Sequence, residues 1–285
     1  MTKQDYINQV AHLPREEQAQ ALEAMFKKVY EANSGSTEAL VLCEALAFDY
    51  EVFQYKIKLP DLYYDTGNYE RCAEYCQGLC IEMNGHGCSD FYFLMGLSYE
   101  ALDRPLDAIS SYNMAPRSLF SLLSLGGKKE IDFASLPEHT LHQISSYYVR
   151  SGILSFKLKK YSDAINAFSE GWKYYKTADA ATYMGNICYE GLEVTKNVGK
   201  AEELFLMVAN IDTTDVELCG YVATANYKLG VIYATENGFV NREKAEAHLQ
   251  KAKSLGYAVS DEEIATLLNN IPAPNKKSFF GGLFG

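Results

Sequence analysis

The chain has 285 residues, 48% hydrophobic and 22% charged, which is typical of a globular protein and excludes global disorder. Lys plus Arg is 26 against 37 Asp plus Glu, so the net charge of −11 argues against nucleic acid as a partner, because phosphate binding needs clustered cations. The seven cysteines cannot all pair, the first residues lack the pattern of a signal peptide and no apolar run approaches 18 residues, so we expect free thiols in a reducing cytoplasm.

Residues 1–52 are predicted to form an N-terminal cap of two or three helices. Apolar residues recur three and four positions apart, as in TEALVLCEALAFDYEVFQYKI at 37–57, and no strand-like alternation is sustained along the chain. Pro14 and the REEQ stretch after it suit a helix start, where proline's missing N–H is harmless and acids face the positive end of the dipole. We therefore predict an essentially all-α chain.

Three segments repeat one pattern of helix, short turn and helix. They are LPDLYYDTGNYERCAEYC at 59–76, MGLSYEALDRPLDAISSY at 95–112 and SGILSFKLKKYSDAINAF at 151–168. Small residues on facing helices let the two backbones approach, and a larger side chain four positions later fills the space beside them. The small residues are Gly96 and Gly152 in the first helices and Cys72, Ala108 and Ala164 in the second, followed by Cys76, Tyr112 and Phe168.

This pattern resembles the tetratricopeptide repeat, a helix pair of about 34 residues. The resemblance covers residues 53–178 and implies a right-handed α-solenoid of antiparallel helix pairs. Cys72 and Ala108 are 36 residues apart, whereas Ala108 and Ala164 are 56 apart, so we expect an insertion near 117–139. Pro60 stands where the family has glycine and is expected to kink its helix or to start it late.

Residues 179–258 contain two segments of a related pattern, MGNICYEGLEVTKNVGKAEELF at 184–205 and LGVIYATENGFVNREKAEAHLQKAKSLG at 229–256. Both carry a glycine in the first helix, a glycine-bearing turn and Lys-Ala opening the second helix. They resemble Sel-like repeats, relatives of the tetratricopeptide repeat with a longer turn. The second segment matches at Leu229, Gly230, Tyr233, Gly238, Lys244, Ala245, Ala252 and Gly256, whereas the first has Cys188 in place of the tyrosine.

In tetratricopeptide arrays the first helix of each pair lines a concave surface. The register implies inner positions at Asp61, Tyr64, Phe93, Leu97, Glu100, Val149, Ile153, Phe156 and Lys157, with Arg150 beside them. Relatives that hold chaperone tails clamp a terminal carboxylate with Lys, Asn and Arg at such positions. Only Arg150 lies near a matching place, so we predict against that activity. The apolar positions either bind a peptide or pack against the 117–139 insertion.

No sequence motif indicates catalysis or a cofactor, since P-loop, GxSxG, HExxH and strand-linked GxGxxG patterns do not occur. Cys72, Cys76 and Cys80 lie four residues apart on one predicted helix, with His86 and Cys88 just beyond. A metal site is one reading, but this is not the CxxC spacing of structural zinc, and core packing is favoured. His139 and His142 have no third ligand nearby in the sequence.

The final stretch divides into a capping helix at 259–271 and an apolar tail at 272–285. Ser260 and Glu263 are predicted to form a capping box, and Pro272 and Pro274 end the helix. Burying the three Phe and one Leu of FFGGLFG contributes roughly 6–12 kcal/mol gross, but ordering these residues costs about 7–14 kcal/mol. Membrane docking, docking in a groove of this or another copy, and no role at all remain open for the tail.

The leading interpretation is a non-catalytic interaction scaffold or adaptor that binds a protein or peptide on its concave face. A peripheral membrane adaptor that uses the tail is the alternative. A metal protein or enzyme is less favoured, because no constellation of residues specifies one.

Overall fold

The structure, a computed structural model, describes residues 1–124 and 131–271. These residues form fifteen α-helices, one π-helical turn and one 3-10 turn, with no β-strand among them. The prediction of an all-α chain is confirmed. The chain divides into two compact units, Met1–Leu158 and Lys159–Gly285, and the two helices of the third predicted repeat fall one in each unit.

The first unit contains nine helices in its described residues. Consecutive helices pack side by side, most extensively α6 with α7 and α7 with α8, which is the arrangement expected of stacked helix pairs. The helices are α1 (Lys3–Val10), α2 (Arg15–Ala32), α3 (Thr37–Glu44), α4 (Phe53–Lys56), α5 (Leu59–Asp65), α6 (Tyr69–Glu82), α7 (Ser89–Ala101), α8 (Pro105–Ser124) and α9 (Glu138–Lys157), with the π turn at Ala45–Asp49 and the 3-10 turn at Phe133–Ser135.

The second unit contains six helices in its described residues. Here α11 packs against α12 and α13 against α14, and α12 also contacts α13, so each pair packs on the next. The helices are α10 (Tyr161–Trp172), α11 (Ala178–Glu190), α12 (Val198–Ala209), α13 (Val216–Thr235), α14 (Arg242–Ser254) and α15 (Asp261–Asn269).

Glycines permit close packing within the helix pairs, as the sequence predicts. A Cβ atom at Gly96 of α7 would overlap the ring of Tyr112 on α8. In the second unit a Cβ at Gly185 would lie 2.7 Å from the ring of Phe205, and one at Gly230 would lie 2.5 Å from Leu249. Each glycine therefore accepts a large side chain from the partner helix of its pair.

The same capping contacts occur in both helix pairs of the second unit. Asn197 and Asn241 cap α12 and α14, and each accepts a hydrogen bond from the backbone N–H of the lysine three residues on, at 2.9 and 3.0 Å. The backbone N–H of Asn197 donates to the carbonyl of Cys188 at 2.8 Å, and that of Asn241 donates to Tyr233 at the same distance. Cys188 and Tyr233 thus occupy equivalent places, as the alignment predicts.

Two predicted helix starts have a definite outcome. Pro60 lies in the first turn of α5, so that helix starts late rather than kinking. At α15 the Ser260 hydroxyl accepts from the Glu263 backbone N–H at 3.1 Å, which is half of the predicted capping box. The Glu263 carboxylate accepts instead from the Tyr227 hydroxyl at 2.9 Å. The predicted tail, 272–285, lies outside the described residues.

Candidate functional site

All ten predicted groove residues lie in the first unit, on α5, α7 and α9. Val149 is only 3% exposed and belongs to the buried interior, so it is not available to a ligand. The other nine side chains are half-buried or exposed. We call them the α5–α7–α9 face, and its members are Asp61, Tyr64, Phe93, Leu97, Glu100, Arg150, Ile153, Phe156 and Lys157.

A polar cluster links the three helices of this face. Glu100 of α7 accepts a hydrogen bond from the hydroxyl of Tyr112 on α8, and its Oε1 lies 3.7 Å from an Nη of Arg150 on α9. Burial, followed by nearby Tyr69, raises the pKa of Tyr64 on α5; the charge of Arg150 lowers this pKa, and that of Glu100 raises it further. Side chains from α5, α7 and α9 therefore lie within electrostatic range of one another, and Arg150 is already engaged by a carboxylate.

The apolar centre of the face is anchored on the core. The ring of Phe93 lies 5.5 Å from that of Tyr112 and 5.4 Å from that of Tyr147, both of which are buried. Leu97 packs against the buried cluster that contains Ala108, Tyr112 and Leu154. Phe93 and Leu97 both stay half-buried, so this part of the surface is apolar and held in place.

One end of the face is acidic. Asp61 and Asp65 are exposed one turn apart on α5. Partial desolvation, followed by the charges of Asp65 and Asp90, raises the pKa of Asp61, against an opposing effect of Lys58. Asp90 accepts hydrogen bonds from Gln143 Nε2 at 2.8 Å and from the Tyr147 hydroxyl at 3.3 Å.

Residues 117–124 of the predicted insertion contact a region outside the α5–α7–α9 face. Residues 117–124 continue α8, and Ser118 accepts from the Cys88 backbone N–H at 2.8 Å. Ser121 bonds His86 at 2.5 Å, and Leu122 lies 3.5 Å from where a Cβ of Gly87 would stand. These contacts place the end of α8 against the loop at 85–88. Residues 125–130 lie outside the described part.

An aromatic cleft beside α2 has no counterpart in the sequence predictions. Its volume is about 400 Å3. The ammonium of Lys58 lies 4.1 Å from the centre of the Tyr30 ring. The cleft depends on how the short helix α4 lies against α2, which no local pattern encodes. Its lining residues are Glu23, Phe26, Lys27, Tyr30, Glu31, Gln54, Tyr55 and Lys58.

The cysteines of α6 lie in the interior. Cys72 and Cys76 are fully buried, Cys80 nearly so, and the thiol of Cys72 donates to the carbonyl of Pro60 at 3.2 Å. Burial, followed by Cys88, raises the pKa of the Cys80 thiol to about 12, which holds it in the neutral form. Over residues 1–124 and 131–271 no three His, Cys, Asp or Glu side chains are grouped so that they hold a metal ion.

A buried polar network in the second unit centres on His248 of α14. Asn226 is fully buried; its Nδ2 donates to the Val222 carbonyl at 2.8 Å, so its Oδ1 accepts from His248 Nδ1, also at 2.8 Å. The imidazole stacks on the ring of Tyr233, whose hydroxyl donates to Glu202 at 2.7 Å. Burial, then the charges of Lys251 and Lys244, lowers the pKa of His248.

The His248 network predicts that the second unit loses stability in mild acid. Because the pKa of His248 is lower in the folded protein, the unfolded state binds protons more readily. The free energy of unfolding therefore falls as the pH drops below about 6.5. Trp172, the single tryptophan, lies in this unit and reports its unfolding. In denaturant titrations at pH 7.5 and 5.5, His248→Gln is expected to lose less stability than the wild type. The control His139→Gln, an exposed site, keeps the wild-type pH dependence; equal losses in all three proteins contradict the prediction.

No helix within the described residues is both long and apolar enough to cross a membrane.

No family model matches the chain, and no curated protein matches it. Among solved structures, the chain is similar to the crystal structure of BtubC (BKLC) from P. vanneervenii, with 15% identity over 96% of this chain and 99% of that one and a TM-score of 0.49. It also matches the TPR2AB-domain:pHSP90 complex of yeast Sti1, with 16% identity over 90% of this chain and 99% of that one and a TM-score of 0.33. Similarity at this level carries no inference about function.

Proposed function

We propose that the chain is a non-catalytic scaffold whose α5–α7–α9 face binds an extended segment of a protein partner. One observation carries the proposal: Tyr64, Glu100 and Arg150, from three successive first helices, lie within electrostatic range around a fixed apolar centre. Rigid helices hold such a surface in place before binding, which limits the entropy that a partner has to overcome.

The chemistry of the face favours a ligand that is not a terminal carboxylate. Glu100 already neutralises Arg150, and Asp61 and Asp65 repel anions at the acidic end. A side chain of the partner that carries a positive charge is stabilised beside those aspartates, whereas an apolar one packs against Phe93 and Leu97. Nucleic acid is disfavoured for the same electrostatic reason.

The same proposal includes the organisation of the chain. Residues 1–52 act as a cap, 53–178 as tetratricopeptide-like repeats, 179–258 as Sel-like repeats and 259–271 as a capping helix. The shared cap contacts of Asn197 and Asn241 support the equivalence of the two Sel-like segments. We place the protein in the reducing cytoplasm, since all seven cysteines are free thiols.

Truncation of two side chains on the α5–α7–α9 face tests the proposed function. The double variant Tyr64→Ala, Ile153→Ala removes two half-buried side chains from the face without emptying a fully buried site. In quantitative affinity capture from native lysate, we expect at least one specific partner to be depleted tenfold or more, which is about 1.4 kcal/mol.

The matched control is Val216→Ala, a comparable truncation at an 88% exposed position of the second unit. It is expected to keep every partner at the wild-type level. Far-UV circular dichroism and unfolding midpoints establish that both proteins are folded. Retention of all partners by the folded double variant contradicts the proposed function.

A further inference from the structure

We propose that residues 276–285 of one copy of the chain bind to the α5–α7–α9 face of a second copy. This inference rests on the proposed function of that face and names its occupant. The segment reads KKSFFGGLFG, with two lysines followed by three phenylalanines and one leucine, and it has no acidic side chain. It thus combines the two kinds of side chain that the face is built to receive.

The charges are complementary. The lysines at 276 and 277 are the only ionisable side chains of the segment. The face carries the exposed Asp61, and Asp65 is exposed one turn beyond it on α5. Asp90 adds to the negative potential around Asp61. Lys58 offsets part of this potential, and its ammonium also lies 4.1 Å from the centre of the Tyr30 ring. A pair of lysines on the ligand therefore meets a surface of opposite sign.

The spacings are compatible as well. Asp61 and Tyr64 are three residues apart on α5, which places their Cβ atoms about 5–6 Å apart. Lys277 and Phe279 are two residues apart, and an extended chain advances about 3.3–3.6 Å per residue. When a lysine pairs with Asp61, the first phenylalanine reaches Tyr64, and the later rings continue toward Phe93 and Leu97. The glycines at 281 and 282 leave the intervening backbone slim enough to lie against a helix.

The geometry of such binding leads to assembly of copies. Each copy offers one segment and one face, so the contact is heterologous and builds either a closed ring or an open chain. A single contact of this kind is expected to be weak, because the entropy lost when the segment is held in one conformation offsets most of the gain from burial. Assembly is therefore expected to depend strongly on protein concentration and to be strengthened when several contacts close at once.

Charge reversal in the full chain tests the proposal. The face variant Asp61→Lys, Asp65→Lys and the segment variant Lys276→Glu, Lys277→Glu are compared with the wild type by sedimentation velocity over a wide concentration range. We expect the wild type to self-associate and each variant to do so at least tenfold more weakly. A chain that carries all four substitutions regains association, because the charges are again opposite.

Controls separate this inference from others. Tyr30→Ala, a half-buried lining residue of the aromatic cleft beside α2, is expected to leave association unchanged. If it abolishes association while the face variant does not, the segment binds in that cleft and the proposal is overturned. A wild type that stays monomeric also overturns it. The proposed function stands or falls separately, on whether Tyr64→Ala, Ile153→Ala loses partners in lysate.

Discussion

Gly96→Ala is expected to destabilise the first unit by about 1–3 kcal/mol, the usual effect of forcing extra volume into a packed core. The added Cβ would overlap the ring of Tyr112, which is fully buried and whose hydroxyl is bonded to Glu100. The ring therefore has no free direction in which to move. The gain in helix propensity from replacing glycine, about 1 kcal/mol, offsets only part of this cost.

A matched glycine separates the two effects. Gly78 lies within α6, and a Cβ there would have no atom within 4 Å. Gly78→Ala is therefore expected to stabilise the unit by about 0.5–1 kcal/mol. Denaturant unfolding followed by far-UV circular dichroism measures both variants. If Gly96→Ala is as stable as Gly78→Ala, the close approach of α7 and α8 is not a determinant of stability.

The helix pairs were predictable because their sequence signals are local. The glycines and the alanines opposite them recur at fixed offsets, and a small residue at a helix crossing has one main physical use. Gly67, Asp103 and Lys159 all have positive φ, and they are separated by the same 36 and 56 residues as Cys72, Ala108 and Ala164. The turn between the two helices thus keeps its conformation although its residue type changes. The spacing along the chain therefore locates the turn where the residue type does not.

The candidate face was only partly predictable. Val149 is buried whereas its neighbour Arg150 is exposed, and a helix rotates about 100° from one residue to the next, so a small error of register moves a side chain to another surface. The hydrogen bond from Tyr112 to Glu100 was also missed. The sequence did carry one signal for it: Tyr112 stands where the third repeat has Phe168. A tyrosine at a buried position needs a hydrogen-bond partner for its hydroxyl.

Features that depend on tertiary placement left no signal in the sequence. The cleft beside α2 exists because α4 is short and packs next to the π turn at 45–49. The crowding of Asp61 by Asp90 joins residues on α5 and α7. Neither arrangement follows from periodicity, which specifies the buried stripe of a helix but not which neighbour stands beside its exposed side chains.

Phe205→Ala is expected to destabilise the second unit by about 3–5 kcal/mol, the largest effect of the substitutions considered. The ring is fully buried and lies over Gly185, where the absence of a side chain lets α12 approach α11. Removing it empties a volume that the rigid helix pair cannot close. Phe205→Leu is expected to cost much less, because leucine fills the equivalent position over Gly230, where Leu249 stands.

A double-mutant cycle tests whether the glycine and the ring act as one unit. Gly185→Ala alone is expected to cost about 1–3 kcal/mol because its methyl group meets the Phe205 ring. In the background of Phe205→Ala that methyl group enters the vacated space, so its cost disappears and the coupling energy reaches about 1 kcal/mol or more. Trp172 fluorescence during denaturation follows this unit in all four proteins. Strictly additive effects would show that Gly185 is not there to accommodate the ring, which would remove the physical basis for equating this helix pair with the one formed by Gly230 and Leu249.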